Sequence, residues 1–184
     1  MGDQSLYYEE IIAFWFTEVD ARNWWVKDVK FDRVIADRFL EIHSAAGKCE
    51  LFGWRESPLG RLAEIIVLDQ FSRNIYRDDA SAFACDPLAL ALSQEAIHIR
   101  ANQTLDFDQK AFLYMPYMHS ESPQIHKIAV ELYKEPGLES NLKFELKHKA
   151  IIDRFGRYPH RNKILKTQST VEEIEFLKGP GSSF

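Results

Sequence analysis

Apolar residues recur at helical spacing along most of this chain. No segment alternates with a period of two between turn signals, so the pattern predicts helices and no sheet. Helix starts are marked by Ser57-Pro58, Asp86-Pro87 and Ser122-Pro123, each pairing a capping oxygen with a proline at the first helical position, where the missing N–H costs nothing. Stops are marked at Gly47, Pro136-Gly137, Gly156 and Gly179-Pro180. Between these marks roughly eight helices are read, about Ser5 to Glu18, Phe31 to Ala46, Pro58 to Tyr76, Pro87 to Ala101, Asp106 to Glu121, Pro123 to Lys134, Ser140 to Phe155 and Val171 to Lys178. Short connections predict an all-α fold of antiparallel helical hairpins packed in layers. Asp20 to Lys30 and Arg157 to Gln168 read as longer irregular pieces. The hairpin spacing resembles a helical solenoid, but no 34-residue repeat is legible, so any repeats are degenerate.

The third helix changes character along its length. Leu59, Leu62, Ala63 and Ile66 form an apolar stripe, and at about 100° per residue Asp69, Gln70, Arg73, Asn74 and Arg77 continue the same face. Asp69 and Arg73 are four apart and can pair across a turn. A solvated face with one ordinary ion pair is the plain alternative. The absence of lysine and the presence of fork-shaped donors and amides favour the wall of a cleft.

Two further stretches carry candidate chemistry. In FLYMPYMHSE, Phe112 to Glu121, Pro116 predicts a kink and His119 shares a stripe with Phe112 and Met115. His148 lies on the stripe of Phe144, Ile151 and Phe155. Histidines so placed are more often satisfied core residues than ligands. After Gly156, the residues Arg157, His160, Arg161 and Asn162 follow in a loop stiffened by Pro159. Arg154, Arg157, Arg161, Lys163 and Lys166 succeed one another with no acid between them, an anion-seeking run. Complementing a helix C-terminus would account for Arg154 and Arg157 but not for the rest.

The 184 residues suit one domain over residues 1–184, with 13 Phe and four Trp to build a core rich in rings. Trp24-Trp25 and Trp54 could anchor a partner, though burial between helices is the expectation for most of them. A formal net charge of −5 argues against nucleic acid as the partner. Cys49 and Cys85 show no paired spacing, so neither a disulfide framework nor a thiolate zinc site is indicated, which suits a reducing cytoplasm. The first ten residues lack the pattern of a secretory signal, and Leu6 stands where a myristoylation site needs Ser or Thr. The apolar block from Ala111 to Ser120 is too short to span a membrane. No P-loop, dinucleotide fingerprint, GxSxG, HExxH or calcium loop occurs. His119, His148 and His160 with Asp69 or Glu121 have no short ligand spacing on one helix, so neither a metal nor a cofactor is expected.

Taken together, LDQFSRNIYRDDASAFACD from Leu68 to Asp86, FLYMPYMHSE, RFGRYPHRN from Arg154 to Asn162, STVEE from Ser169 to Glu173 and the closing PGSSF resemble the bacterial family known as domain of unknown function 924. The likeness covers nearly the whole chain. It implies an all-helical fold grouped with the tetratricopeptide-repeat-like superfamily and no established activity.

The residues therefore predict a cytoplasmic helical protein with one polar cleft. Asp69, Gln70, Arg73, Asn74, His119, Glu121, His148, Arg157, His160 and Arg161 would converge there on an anionic group of a small molecule or peptide. Arginine would grip it bidentately, with Asp69 orienting Arg73. The same residues would serve an enzyme with a histidine as acid or base and arginine stabilising negative charge. They would also serve an interaction scaffold whose polar network is purely architectural. Oligomeric state is open.

Overall fold

Pro58 opens helix α3 (Pro58–Ile66), which runs on through a wider π turn (Val67–Phe71) into α4 (Ser72–Ile75). In the computed structural model, which describes residues 5–182 and side chains from residue 8 onward, this continuous run belongs to a first compact unit. That unit comprises the residues up to Arg77 together with Ser81–Pro116. Around it lie α1 (Ser5–Ala13), which ends in a π turn over Phe14–Glu18, then α2 (Val29–Gly47), α5 (Asp86–His98) and most of α6 (Phe107–Met118). Helices α1 and α5 pack on α3, and α2 packs on α4 and the π turn before it. The core is built of rings, as the composition implied. Phe14, Trp15, Phe39, Phe71 and Phe112 are all buried. Phe14 meets Phe39 at 4.9 Å, Phe39 meets Phe71 at 5.1 Å and Trp15 meets Phe112 edge-on at 5.5 Å, the tilted and offset arrangements that ring quadrupoles favour.

Gly60 has a packing reason to be glycine. A β carbon there would stand 2.1 Å from the Trp54 carbonyl oxygen, because the short 3₁₀ turn Phe52–Glu56 folds directly onto α3. The same turn delivers Arg55 to Glu64, whose carboxylate is wholly buried and accepts two hydrogen bonds of 2.7 Å.

The second unit holds Asp78–Ala80 and the chain from Tyr117 onward. Helices α7 (Pro123–Leu132) and α8 (Glu139–Phe155) form an antiparallel hairpin. A 3₁₀ turn (Pro159–Arg161) and α9 (Val171–Phe176) follow. Ile151, Ile152 and Tyr158 make the core here, with Phe155 and Phe176 against it. Gly156 ends α8 in the left-handed conformation with φ +71°, as its position predicted. Thr170 and Glu173 cap α9 reciprocally.

No strand occurs among the described residues, and no helix there is long and apolar enough to cross a membrane. Several local expectations change. Helix α2 starts at Val29 rather than Phe31, and Ala21–Trp25 forms a 3₁₀ turn inside the piece read as irregular. Helix α6 continues through Pro116 but stops at Met118, not Glu121. The prolines do sit at helix starts, yet Ser57 and Ser122 make no capping bond through their side chains. Helix α5 begins one residue early, with Cys85 at its cap, and the Asp86 carboxylate pairs with Arg73 instead of capping. Residues 1–4 and 183–184, on which the reading of the amino terminus and part of PGSSF rest, lie outside the described residues.

Candidate functional site

The predicted site residues fall into two sets, each within one unit. In the first unit, the π turn takes Asp69 into the interior at 1% exposure, while Gln70, Arg73 and Asn74 are half-buried. A π turn closes with i to i+5 bonds, so the phasing of a regular helix does not carry across it. Asp69 and Arg73 nevertheless meet as their spacing predicted, Nη1 standing 3.2 Å from Oδ1 and 2.7 Å from the Asp69 carbonyl. Gln70 Nε2 donates to the other Asp69 oxygen at 2.5 Å. Arg73 also forms a two-pronged bond to Asp86, at 2.9 and 3.1 Å. Asn74 Nδ2 donates to Asp32 of α2 at 2.8 Å, and Arg77 clamps the same carboxylate through Nε and Nη2. The face is therefore not solvated. Each of its two arginines is matched by a carboxylate from another helix.

Neither Asp32 nor Asp86 stood among the predicted residues. Asp86 sits before Pro87 and reads as a helix cap, while Asp32 lies one turn into α2 with nothing in its neighbourhood to link it to a residue more than forty positions away.

In the second unit the centre is Tyr158, buried at 1% exposure. Its ring lies 5.5 Å from that of His160, 5.8 Å from His148 and 6.4 Å from His126, and the Arg161 guanidinium sits 4.6 Å from its centroid. His119 and His126 also lie within electrostatic range of His148, so four of the six histidines of the chain gather here. His148 is one of the predicted stripe histidines. Burial drives its pKa down to about 3, outweighing the bond of its Nδ1–H to the Phe144 carbonyl at 2.8 Å, and neighbouring histidines push the same way. It is neutral at ordinary pH, with Nε2 as its acceptor nitrogen.

Three successive carbonyls at the end of α6 are each held by a different side chain. Tyr158 Oη donates to Met118 O at 2.5 Å, Arg161 Nη2 to His119 O at 3.1 Å and His126 Nε2 to Ser120 O at 2.8 Å. A helix C-terminus leaves carbonyls without intrahelical partners and carries partial negative charge, so a cation and two polar hydrogens fit it. Glu121 accepts the Tyr158 backbone N–H at 2.8 Å and stands 4.0 Å from Arg161. His119 and His160 are half-buried and Glu121 is exposed, which opens the cluster to solvent on one side. His126 and Glu145, paired at 2.7 Å and wholly buried, complete it, although neither was a predicted residue.

The cationic run disperses. Arg154 pairs with Glu172 at 2.8 Å, and Arg157 clamps Glu173 at 2.6 and 2.8 Å, holding that carboxyl down at about 2. Arg157 is thus committed to fixing α9. Lys163 and Lys166 line an open depression of about 670 Å³ with Asp78, Asp79, Ala80 and Ile164. Among the described residues no group of three or more His, Cys, Asp or Glu is arranged to hold a metal. Trp15 and Trp54 are buried, Trp24 is half-buried, and Trp25 is 61% exposed on the face of Phe112.

The chain belongs to the bacterial family of proteins of unknown function DUF924, whose profile matches residues 11–181. It is similar to a protein of unknown function from Agrobacterium tumefaciens, with 37% identity over 96% of this chain and 100% of that one and a TM-score of 0.91. No curated protein matches the chain.

Proposed function

We propose that this DUF924 protein binds a small molecule or peptide end through an anionic group, and that the cluster around Tyr158 receives it. The supporting observation is the crowding of three histidine rings and one guanidinium around a single buried tyrosine ring. Holding the end of α6 uses Tyr158, Arg161 and His126, and a ligand pocket likewise needs a few convergent donors and acceptors on a rigid base. Arg161 supplies the charge, and the partly exposed His119 and His160 supply the approach. His148, held neutral, adds no charge of its own beside the anionic group.

In this reading Asp69, Gln70, Arg73 and Asn74 are architectural. Their bonds to Asp32 and Asp86 join α2, α4 and α5 of the first unit, and Arg73 answers two carboxylates already.

Melting temperatures in phosphate, sulfate and citrate, set against chloride at matched ionic strength, test the proposal. A ligand that binds only the folded state raises stability by mass action, while screening and ion exclusion act on all variants alike. The rise in wild type should persist in Arg73→Gln and shrink in Arg161→Gln. Equal shifts in all three proteins would remove the anion site.

A further inference from the structure

Both nitrogens of His126 and both oxygens of Glu145 are out of reach of water, each residue being 0% exposed. The hydrogen bonds around them leave little choice about where protons sit. His126 Nε2 lies 2.8 Å from the Ser120 carbonyl oxygen, which can only accept, so Nε2 carries a hydrogen. Tyr158 Oη lies 3.4 Å from the same nitrogen, but its proton goes to the Met118 carbonyl. On the other side of the ring, Nδ1 faces Glu145 Oε1 at 2.7 Å, a contact that needs a single proton between two groups that could each hold it. Either His126 is an imidazolium beside a carboxylate, or it is a neutral imidazole accepting from a carboxylic acid.

The second oxygen of Glu145 distinguishes these. Oε2 is buried and has no hydrogen-bond partner among the described residues. In a carboxylate it would carry half a negative charge with nothing to meet it, whereas in the acid it is an ordinary carbonyl oxygen whose isolation costs far less. We infer that Glu145 is a neutral carboxylic acid in the folded protein, donating its proton to His126 Nδ1, and that this one proton couples the hold on the Ser120 carbonyl to pH.

The surroundings agree. Desolvation raises the Glu145 pKa against the opposing pulls of His126 and of Lys149 on α8, which is itself bonded to Asp153. Other ionisable groups of the same cluster are His148 on α8, His119 and Glu121 at the end of α6, and Tyr158, His160 and Arg161 beyond Gly156. Loss of the proton would set two lone pairs against each other at hydrogen-bond distance. His126 would then have to turn, and the Ser120 carbonyl between His119 and Glu121 would lose its donor. The inference does not depend on the proposed ligand.

Its sign follows from linkage. The unfolded chain gives up the Glu145 proton near pH 4.5 and the folded chain keeps it, so folding takes up a proton above that pH and stability declines as pH rises toward the folded value.

Nitrogen and carbon NMR of the labelled full chain at pH 7 reads the proton directly. The expected spectrum shows a pyridine-type, unprotonated Nδ1 and a protonated Nε2 in His126, with the Glu145 carboxyl carbon in the position of the acid. Two protonated nitrogens and an ionised carboxyl carbon would overturn the inference. Glu145→Gln supplies a second measure, because an amide N–H can replace the acid proton but cannot leave. The variant should keep the His126 tautomer and bind about one proton fewer on folding above pH 5 than wild type does. An unchanged stability slope against pH would count against the neutral acid. Should Glu145→Gln fail to fold, the wild-type spectrum decides between the same two outcomes.

Discussion

Arg73 bridges Asp69 and Asp86, reaching Asp86 through both terminal nitrogens and Asp69 through its carbonyl and its carboxylate. The two acids are not equivalent partners, since Asp69 is 1% exposed whereas the Asp86 side chain is 15% exposed.

Asp69→Ala leaves the half-buried Arg73 and Gln70 each short of one acceptor that sits in the interior, and should cost about 2 kcal/mol or more. Asp86→Ala leaves Arg73 still paired with Asp69 nearer to solvent, and should cost less, about 1 kcal/mol. Denaturant unfolding of the two variants checks the order. A loss within about 0.5 kcal/mol for Asp69→Ala would return this face to the solvated class.

Gly60→Ala should run against the usual helix trend. Alanine in place of glycine inside a helix ordinarily gains about 1 kcal/mol. Here the new methyl group would meet backbone, not a side chain that can swing away, at 2.1 Å from the Trp54 oxygen. A loss on the order of 1–3 kcal/mol is expected, read as a lower melting temperature. A gain would mean that the Phe52–Glu56 turn can lift off α3.

His148 and Glu173 both contribute to the acid limb of stability. His148 is neutral when folded down to about pH 3, while an unfolded histidine takes a proton near pH 6.5, so acid favours the unfolded chain progressively between those values. Glu173 works lower. Its carboxylate keeps the Arg157 clamp down to about pH 2, and the stabilisation is full above pH 4.5 and fades as pH falls through the interval. Urea midpoints measured from pH 7 to pH 3 should therefore fall less steeply in His148→Asn from pH 6.5 downward, and in Glu173→Gln only below pH 4.5. Curves parallel to wild type in both variants would refute the assignments.

The hydrophobic period and the glycine and proline marks read out the helices, because these report on the local backbone. They were silent on the π turn, since nothing in VLDQF signals the extra residue per turn, and on the helical ends at Met118 and Phe176, which no glycine or proline marks at that position. Asp69 with Arg73 was legible as an i, i+4 pair. The acids that complete the network come from other helices, at separations of 13 and 42 residues, where no sequence rule reaches. His126 with Glu145 was missed for the same reason, whereas His148 was placed correctly on the core side by its stripe.

The carbonyls at the end of α6 have a consequence for the order in which this protein can be made. Two of their three donors, Tyr158 and Arg161, lie 40 and 42 residues further along. On the ribosome, α6 emerges and can coil long before the residues that finish its last turn have left the exit tunnel. Until they arrive, Met118 and His119 must be satisfied by water, and the FLYMPYM helix has no settled end. Completion of this corner is therefore a late event of synthesis, and chains that stall or are cut short before Arg161 carry a frayed, strongly apolar segment, the kind of surface that chaperones bind.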